Sequence, residues 1–184
     1  VLQETVACKF NLEMCMAETI VKIAEALRPD QITLVPEKRE ELTPEGGLDC
    51  ARHKRRLADV VKRMHKKKIL VSTFIAPEED QILASAETDC DAVELHTGMY
   101  ANAKTDRSAA RRVAELRTGR DIARDRGLVV HAGHGLTYRN IGPVAAIEGL
   151  CEFNIGHSII ARAVLVGIHR ATAEMMELIE RPSR

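Results

Sequence analysis

Aromatic residues and excess charge are both scarce in this chain. Its 184 residues include no Trp, three Phe and two Tyr, so the rings that would stack on nucleic-acid bases are nearly absent. The 27 Lys and Arg residues equal the 27 Asp and Glu residues in number. The one basic run, residues 52–68, is balanced elsewhere and is predicted to be the solvated face of a helix. We therefore expect neither a nucleic-acid partner nor an anionic membrane partner.

Long apolar runs and paired cysteines are also missing. No apolar run approaches the roughly 18–20 residues that span a bilayer, and residues 1–16 lack the layout of a signal peptide. The cysteines are odd in number, widely spaced and without a CxxC pair: Cys8, Cys15, Cys50, Cys90 and Cys151. Such a set is typical of reduced thiols rather than of disulfides or a zinc site. We expect a cytoplasmic protein with no membrane partner.

Strand-like and helix-like segments do alternate along the whole chain. The first strand is predicted over residues 5–14, the first helix over 18–27 and the last helix over 158–179. Six strand-then-helix units follow one another, and this alternation predicts an α/β fold with parallel strands and right-handed helical crossovers. No break in composition suggests a second domain, so residues 1–184 are predicted to form one.

Two architectures fit this alternation, an open doubly wound sheet and a (β/α) barrel. The dinucleotide-binding version of the open sheet predicts a GxGxxG loop after an early strand, and the sequence has none. A complete eight-unit barrel needs about 250 residues, so six units in this chain would form a barrel that lacks two units. The pattern favours the barrel and leaves the open sheet as an alternative.

Acidic residues occupy strand positions that a barrel would turn inward. Alternation places Asn11 and Glu13 on one face of the first strand, and Glu94 and His96 on one face of a later strand. Burial raises the pKa of such a carboxyl and nearby cations lower it, which is how a general base is tuned. A structural ion pair for Glu13 and a hydrogen-bonded loop histidine for His96 are the alternatives.

Glycine–histidine elements follow the last two predicted strands. His134 lies between two glycines, where the backbone turns freely. A histidine side chain can donate or accept a proton in acid–base chemistry. Gly156 and His157 precede a helix whose first-turn amides, with Ser158 as a cap, suit a phosphate. Barrels often bind phosphate at the loops after their last two strands, so we predict a phosphorylated ligand. Ordinary turns without a ligand are the alternative.

A long polar segment, residues 36–49, leaves the carboxyl end of a predicted strand, which is the active-site side of a barrel. Its length and its flexible glycine pair indicate a lid over the substrate, with Thr43 as a hydroxyl contact. A solvated loop without function is the alternative. His131 and His134 could suggest a metal, but residues three apart on a strand point to opposite faces, so we predict no metal.

Several motifs together resemble one enzyme family, the pyridoxine 5′-phosphate synthases. They run in order over essentially the whole chain, and together they are far more specific than any one of them alone. They are NLEM (11–14), LVPEKREELTPEGGLD (34–49), ELHTGMYA (94–101), AGHGLTY (132–138) and NIGHSIIARAV (154–164).

The resemblance implies a TIM (β/α)8 barrel, of which this chain carries six of the eight strand–helix units. It also implies a cytoplasmic enzyme without a cofactor, commonly a homo-octamer. Its substrates would be two phosphorylated small molecules, 1-deoxy-D-xylulose 5-phosphate and 3-amino-2-oxopropyl phosphate. Their condensation would yield pyridoxine 5′-phosphate, phosphate and water through general acid–base steps.

Residue roles follow from the same motifs. The resemblance implies Glu13 as a proton acceptor, His134 as a proton donor and Glu94 as a transition-state stabiliser. The implied substrate-binding residues are Thr43 for the deoxyxylulose phosphate, and Gly135, Gly156 and His157 for the aminoketone phosphate.

The family's first two strand–helix units have no counterpart here. They correspond to roughly 60 residues, which with this chain make a usual barrel length. The domain is therefore expected to be N-terminally incomplete as given, and a truncated form is expected to expose strand edges and to lack synthase activity. Two other functions remain as alternatives. One is an aldolase with a Schiff base on Lys38, and the other is a non-catalytic barrel that binds phosphorylated metabolites.

Overall fold

A computed structural model describes residues 1–37, 41–43 and 46–182. The strands are β1 (Asn11–Met14), β2 (Gln31–Leu34), β3 (Leu70–Ile75), β4 (Ala92–His96), β5 (Val129–Gly133) and β6 (Glu152–Asn154). The helices are α1 (Leu2–Thr5), α2 (Glu18–Leu27), α3 (Cys50–Lys66), α4 (Glu79–Glu87), α5 (Gly98–Ala101), α6 (Asp106–Asp125), α7 (Ile141–Ala145), α8 (His157–Val166) and α9 (Ile168–Glu180).

The strands form one parallel sheet in chain order, β1 to β6. Parallel strands in sequence order require a crossover between each pair, and the helices supply it. The sheet curls, so that Lys9, just before β1, forms an ion pair with Glu152 on β6 at the other end of the strand order. The fold is thus a curled α/β half-barrel, and the open-sheet alternative is wrong.

The two faces of the sheet differ sharply in polarity. Strand register places one polar set on the concave face: Asn11, Glu13, Gln31, Thr33, Ser72, Glu94, His96, His131, Glu152 and Asn154. The convex face carries buried apolar side chains that include Ile32, Leu34, Val71, Ile75, Val93 and Leu95. Burial of each large side chain there contributes about 1.5–3 kcal/mol to the free energy of folding. The apolar residues therefore stabilise the fold, and the polar residues face the inside of the curled sheet.

Helix α3 shows how one helix covers this convex face. The side chain of Asp49 caps the helix by accepting from the backbone N–H of Arg52, with an N···O distance of 3.1 Å. A stripe of apolar residues at helical spacing, including Leu57, Val61 and Met64, is fully buried against the sheet. The predicted basic run therefore lies mainly on the solvated side of a helix.

Two predicted element boundaries are wrong. The first strand begins at Asn11 rather than residue 5, because residues 2–5 form a helical turn in which the Thr5 hydroxyl donates to the carbonyls of Val1 and Leu2. The long last helix is two helices, since Gly167 adopts φ +83° and breaks it between α8 and α9.

The cysteines are all free thiols. Burial raises the pKa of the Cys50 and Cys90 thiols to about 12, so both stay protonated and unreactive near neutral pH. In the part of the chain that the structure describes, no helix is long and apolar enough to cross a membrane.

Candidate active site

A cavity of about 650 Å³ opens at the carboxyl ends of the strands. Its size suits a metabolite, and parallel α/β folds place their sites at this end. Its wall includes strand residues and the loops after β5 and β6: Glu13, Phe74, Glu94, His134, Gly135, Asn154, Gly156 and His157.

Two carboxyl groups line this cavity in different environments. Glu94 on β4 is only 3% exposed, and Asn154 on β6 donates to its Oε2 from 2.5 Å. Burial raises the pKa of Glu94 to about 7, against the opposing effect of the Asn154 hydrogen bond, and the charge of Glu13 raises it further. Glu13 on β1 is exposed to solvent. Near neutral pH, Glu94 can therefore both donate and accept a proton.

A glycine on the intervening strand makes the Glu94–Asn154 contact possible. Gly133 on β5 lies between β4 and β6, and a Cβ there would be 2.0 Å from Glu94 Oε1. The same Cβ would be 3.1 Å from Asn154 Cβ. Because Gly133 has no side chain, Asn154 reaches across β5 to Glu94.

His134 follows β5 and is exposed to the cavity. Its backbone has φ +82°, a left-handed conformation that residues other than glycine rarely adopt. Its ring centroid lies 4.9 Å from that of His96 and 6.2 Å from that of Phe74. His134 is thus held at the cavity wall beside two other rings.

His131 and His134 lie in different surroundings, His131 buried and His134 exposed. His131 is buried within the concave face, where burial lowers the pKa of its imidazole. Over residues 1–37, 41–43 and 46–182, no group of three or more His, Cys, Asp or Glu side chains is arranged to hold a metal ion.

The start of α8 borders the same cavity. Gly156 is the N-cap residue, and no described side chain caps the helix there. The first-turn N–H groups therefore keep their capacity to bind an anion, which the helix dipole favours. Ser158, the predicted cap, instead donates from its hydroxyl to the Leu136 carbonyl at 2.9 Å, so that part of the prediction is wrong. This bond joins α8 to the loop that carries His134.

The structure brings most of the predicted site residues together. Around the one cavity lie Glu13, Glu94, His134, Gly135, Gly156 and His157. Thr43 is not among the residues that line it, because its buried side chain closes a turn of its own loop and accepts from Gly47 N at 3.3 Å. Lys38, the lysine of the aldolase alternative, lies outside the described residues.

Two residues of the site, Asn154 and Gly133, were not predicted from the sequence. Asn154 lies in the NIGH motif, and strand alternation from Glu152 would have placed it on the concave face. Gly133 carries no comparable signal, since its role lies in the space it leaves for its neighbours.

Replacing Glu94 by Gln should change how stability depends on pH. Between the ordinary pKa of 4.5 and about 7, folded Glu94 keeps a proton that the unfolded chain has lost, so the free energy of unfolding falls as pH rises through this window. The full effect is about 3 kcal/mol. Gln cannot ionise. Between pH 4.5 and 8, the free energy of unfolding of Glu94→Gln should therefore rise by about this much relative to the unchanged protein, as measured by urea unfolding. A difference independent of pH would contradict the assignment.

Solved structures of low sequence identity share the fold. KGPDC from Streptococcus mutans matches with a TM-score of 0.59 and 13% identity, over 91% of this chain and 69% of that one. A xylose isomerase domain protein from Planctomyces limnophilus matches with a TM-score of 0.55 and 12% identity, over 89% of this chain and 71% of its own. These likenesses support a TIM-barrel-like fold.

Curated relatives are much closer in sequence. Pyridoxine 5′-phosphate synthase of Trichlorobacter lovleyi is 48% identical over 182 residues, 99% of this chain and 76% of the relative. The enzyme of that name from Synechocystis sp. is 50% identical over 175 residues, 95% of this chain and 72% of the relative. The family model "Pyridoxal phosphate biosynthesis protein PdxJ" matches residues 1–181. The chain therefore belongs to the PdxJ family of pyridoxal phosphate biosynthesis proteins.

Proposed function

We propose that this enzyme condenses 1-deoxy-D-xylulose 5-phosphate with 3-amino-2-oxopropyl phosphate to form pyridoxine 5′-phosphate, phosphate and water. Membership of a vitamin B6 biosynthesis family supports this reaction. The observation that carries it is a single cavity that combines two carboxyl groups, an imidazole and the start of α8. Acid–base groups beside an anion site suit a reaction that joins phosphorylated substrates.

The three titratable groups are assigned different steps. Glu13, the exposed carboxylate, accepts a proton as the amine condenses with the pentulose ketone. His134 donates a proton as phosphate and water leave. Glu94, with its pKa near 7, stabilises the charge that develops before the ring closes. The contrast between an exposed and a buried carboxyl group supports this division of labour.

A phosphate subsite is assigned to Gly135, Gly156 and His157. Gly156 lies at the free start of α8, and a Cβ built there would meet no described atom within 4 Å. Backbone N–H groups can therefore approach the aminoketone phosphate closely. Thr43 is assigned to the deoxyxylulose phosphate, which requires its loop to turn the hydroxyl from Gly47 towards the cavity.

Replacing Gly156 by Leu should raise KM for the aminoketone phosphate by at least about 10-fold, because the side chain would occupy the phosphate space. The melting temperature should barely change, since the added atoms enter open space. Gly156→Ala should give a smaller rise in KM. Steady-state kinetics with each substrate varied in turn measures both, and an unchanged KM in Gly156→Leu would contradict the subsite.

The whole protein is proposed to be one complete (β/α)8 barrel domain, with residues 1–184 supplying six of its units. The polar concave face and the Lys9–Glu152 ion pair support an enclosed lumen. It is further proposed to be cytoplasmic and a homo-octamer. Sedimentation analysis of the full-length enzyme tests the oligomer, and an experimental structure with other than eight strands would contradict the barrel.

A product assay on the full-length protein tests the reaction itself. With both substrates present, mass spectrometry should detect pyridoxine 5′-phosphate, and one inorganic phosphate should be released per product. Leaving out either substrate should abolish both signals. Substrate binding without any product would contradict the proposal and favour the non-catalytic barrel.

A further inference from the structure

Thr97, the residue after β4, holds the backbone at His134. Its side chain is fully buried, and its hydroxyl lies 2.7 Å from the carbonyl oxygen of Gly133 and 2.5 Å from that of His134. Its backbone N–H also donates to the Gly133 carbonyl, at 2.8 Å. These bonds flank the residue that adopts φ +82°, so Thr97 supports the left-handed backbone that aims the imidazole.

His96, the residue before it, holds the ring of His134. The two imidazole centroids are 4.9 Å apart with planes tilted by 41°, and Phe74 meets His96 edge-on at 5.0 Å. Gly98 packs closely against both imidazoles, since a Cβ there would be 2.6 Å from His96 Cε1 and 3.1 Å from His134 Cδ2. The ring of His134 therefore packs against close neighbours on one side and stays exposed to the cavity on the other.

His96 stands behind the catalytic wall rather than in it. His134 lines the large cavity, whereas His96 lines a neighbouring cavity of about 170 Å³ with Tyr100 and Arg112. Gly46 of the long loop packs on His96 as well, because a Cβ at Gly46 would be 3.1 Å from His96 Cε1. His96 thus contacts His134 on one side and the long loop on another.

We propose that His96 and Thr97 are positioning residues for His134, with Thr97 setting its backbone and His96 setting its ring. The proposal rests on the proposed role of His134 as proton donor. Small misplacements of a reacting group can cost about 100-fold in rate, so even partial loss of this support should be measurable. The effect should fall on kcat, because neither residue lines the cavity that would bind the substrates.

The first test removes the Thr97 hydroxyl at nearly constant volume. In the full-length enzyme, Thr97→Val should lower kcat by about 10-fold or more, with KM changed by less than about two-fold. Thr97→Ser keeps the hydroxyl and should retain most of kcat. Thr88→Val is the matched control, since the buried Thr88 hydroxyl also donates to two carbonyls but lies after α4, away from the cavity.

A double-mutant cycle separates positioning from a general structural role. If Thr97 acts through His134, adding Thr97→Val to His134→Asn should cause little further loss of kcat. His96→Asn should behave in the same way, with about 10-fold lower kcat alone and little effect beside His134→Asn. Should Thr97→Val fail to fold, the His96→Asn cycle decides.

The outcomes distinguish the two proposals. Wild-type activity in His134→Asn would overturn the proposed function of His134. If His134→Asn loses activity while Thr97→Val and His96→Asn keep theirs, the proposed function stands and the positioning inference fails. The inference also fails if Thr97→Val and His96→Asn lower kcat by the same factor in the His134→Asn background as they do alone.

Discussion

Replacing Glu13 by Gln or His134 by Asn should lower kcat of the full-length enzyme by at least about 100-fold each. Gln keeps the size of Glu13 but cannot act as a base. Asn keeps a polar side chain at position 134 but lacks the imidazole that is proposed to donate the proton. Both side chains reach the same cavity from β1 and from the loop after β5. Product formation under saturating substrates measures the effect.

Matched controls are available on α9. His169→Asn and Glu177→Gln make the same chemical changes at exposed positions outside the cavity, and both should keep wild-type kcat. Glu13→Gln and His134→Asn should also melt within a few degrees of the unchanged protein, since neither side chain is buried. Near-wild-type turnover in both Glu13→Gln and His134→Asn would remove these residues from the mechanism.

Gly133→Ala should lower kcat by about 100-fold or more, although it adds a single methyl group. The new Cβ would stand 2.0 Å from Glu94 Oε1, closer than any real contact, so one group must move. The flexible end of Glu94 yields more readily than the backbone of β5, and its movement breaks the hydrogen bond from Asn154. Loss of that bond to a buried carboxyl should also cost about 1–3 kcal/mol of stability.

Gly119→Ala is the control for this substitution. A Cβ at Gly119 would also be crowded, at 3.1 Å from Pro77 Cβ, but it lies on α6 outside the cavity. It should therefore affect stability without changing kcat. Turnover at the wild-type level in Gly133→Ala would show that the Glu94–Asn154 contact is dispensable.

The sequence predicts those parts of the site that depend on local periodicity. Alternation along β1 and along β4 is enough to predict that Glu13 and Glu94 each point to the polar face of their strand. Parallel pairing then brings the carboxyl ends of both strands to one edge of the sheet. The glycine–histidine pairs likewise mark the loops after β5 and β6. These predictions need only the order of the strands and a side-chain period of two.

Contacts that depend on sheet curvature or on empty space were not predictable in this way. Asn154 meets Glu94 across an intervening strand, which requires both the curl of the sheet and the missing side chain of Gly133. Thr43 illustrates a second limit, since the direction of its hydroxyl depends on a turn closed by Gly47. The division between α8 and α9 did have a signal, because Gly167 interrupts an otherwise helical run.

The hydrogen bond from Ser158 to Leu136 mechanically couples the two glycine–histidine loops. An anion that docks at the start of α8 restrains Ser158, the donor of this hydrogen bond. The acceptor, Leu136, lies in the loop that carries His134. Docking therefore also restrains His134, which we propose as the proton donor. A substrate stripped of its phosphoryl group should consequently react more slowly as well as bind more weakly, since nothing would then hold the link in place.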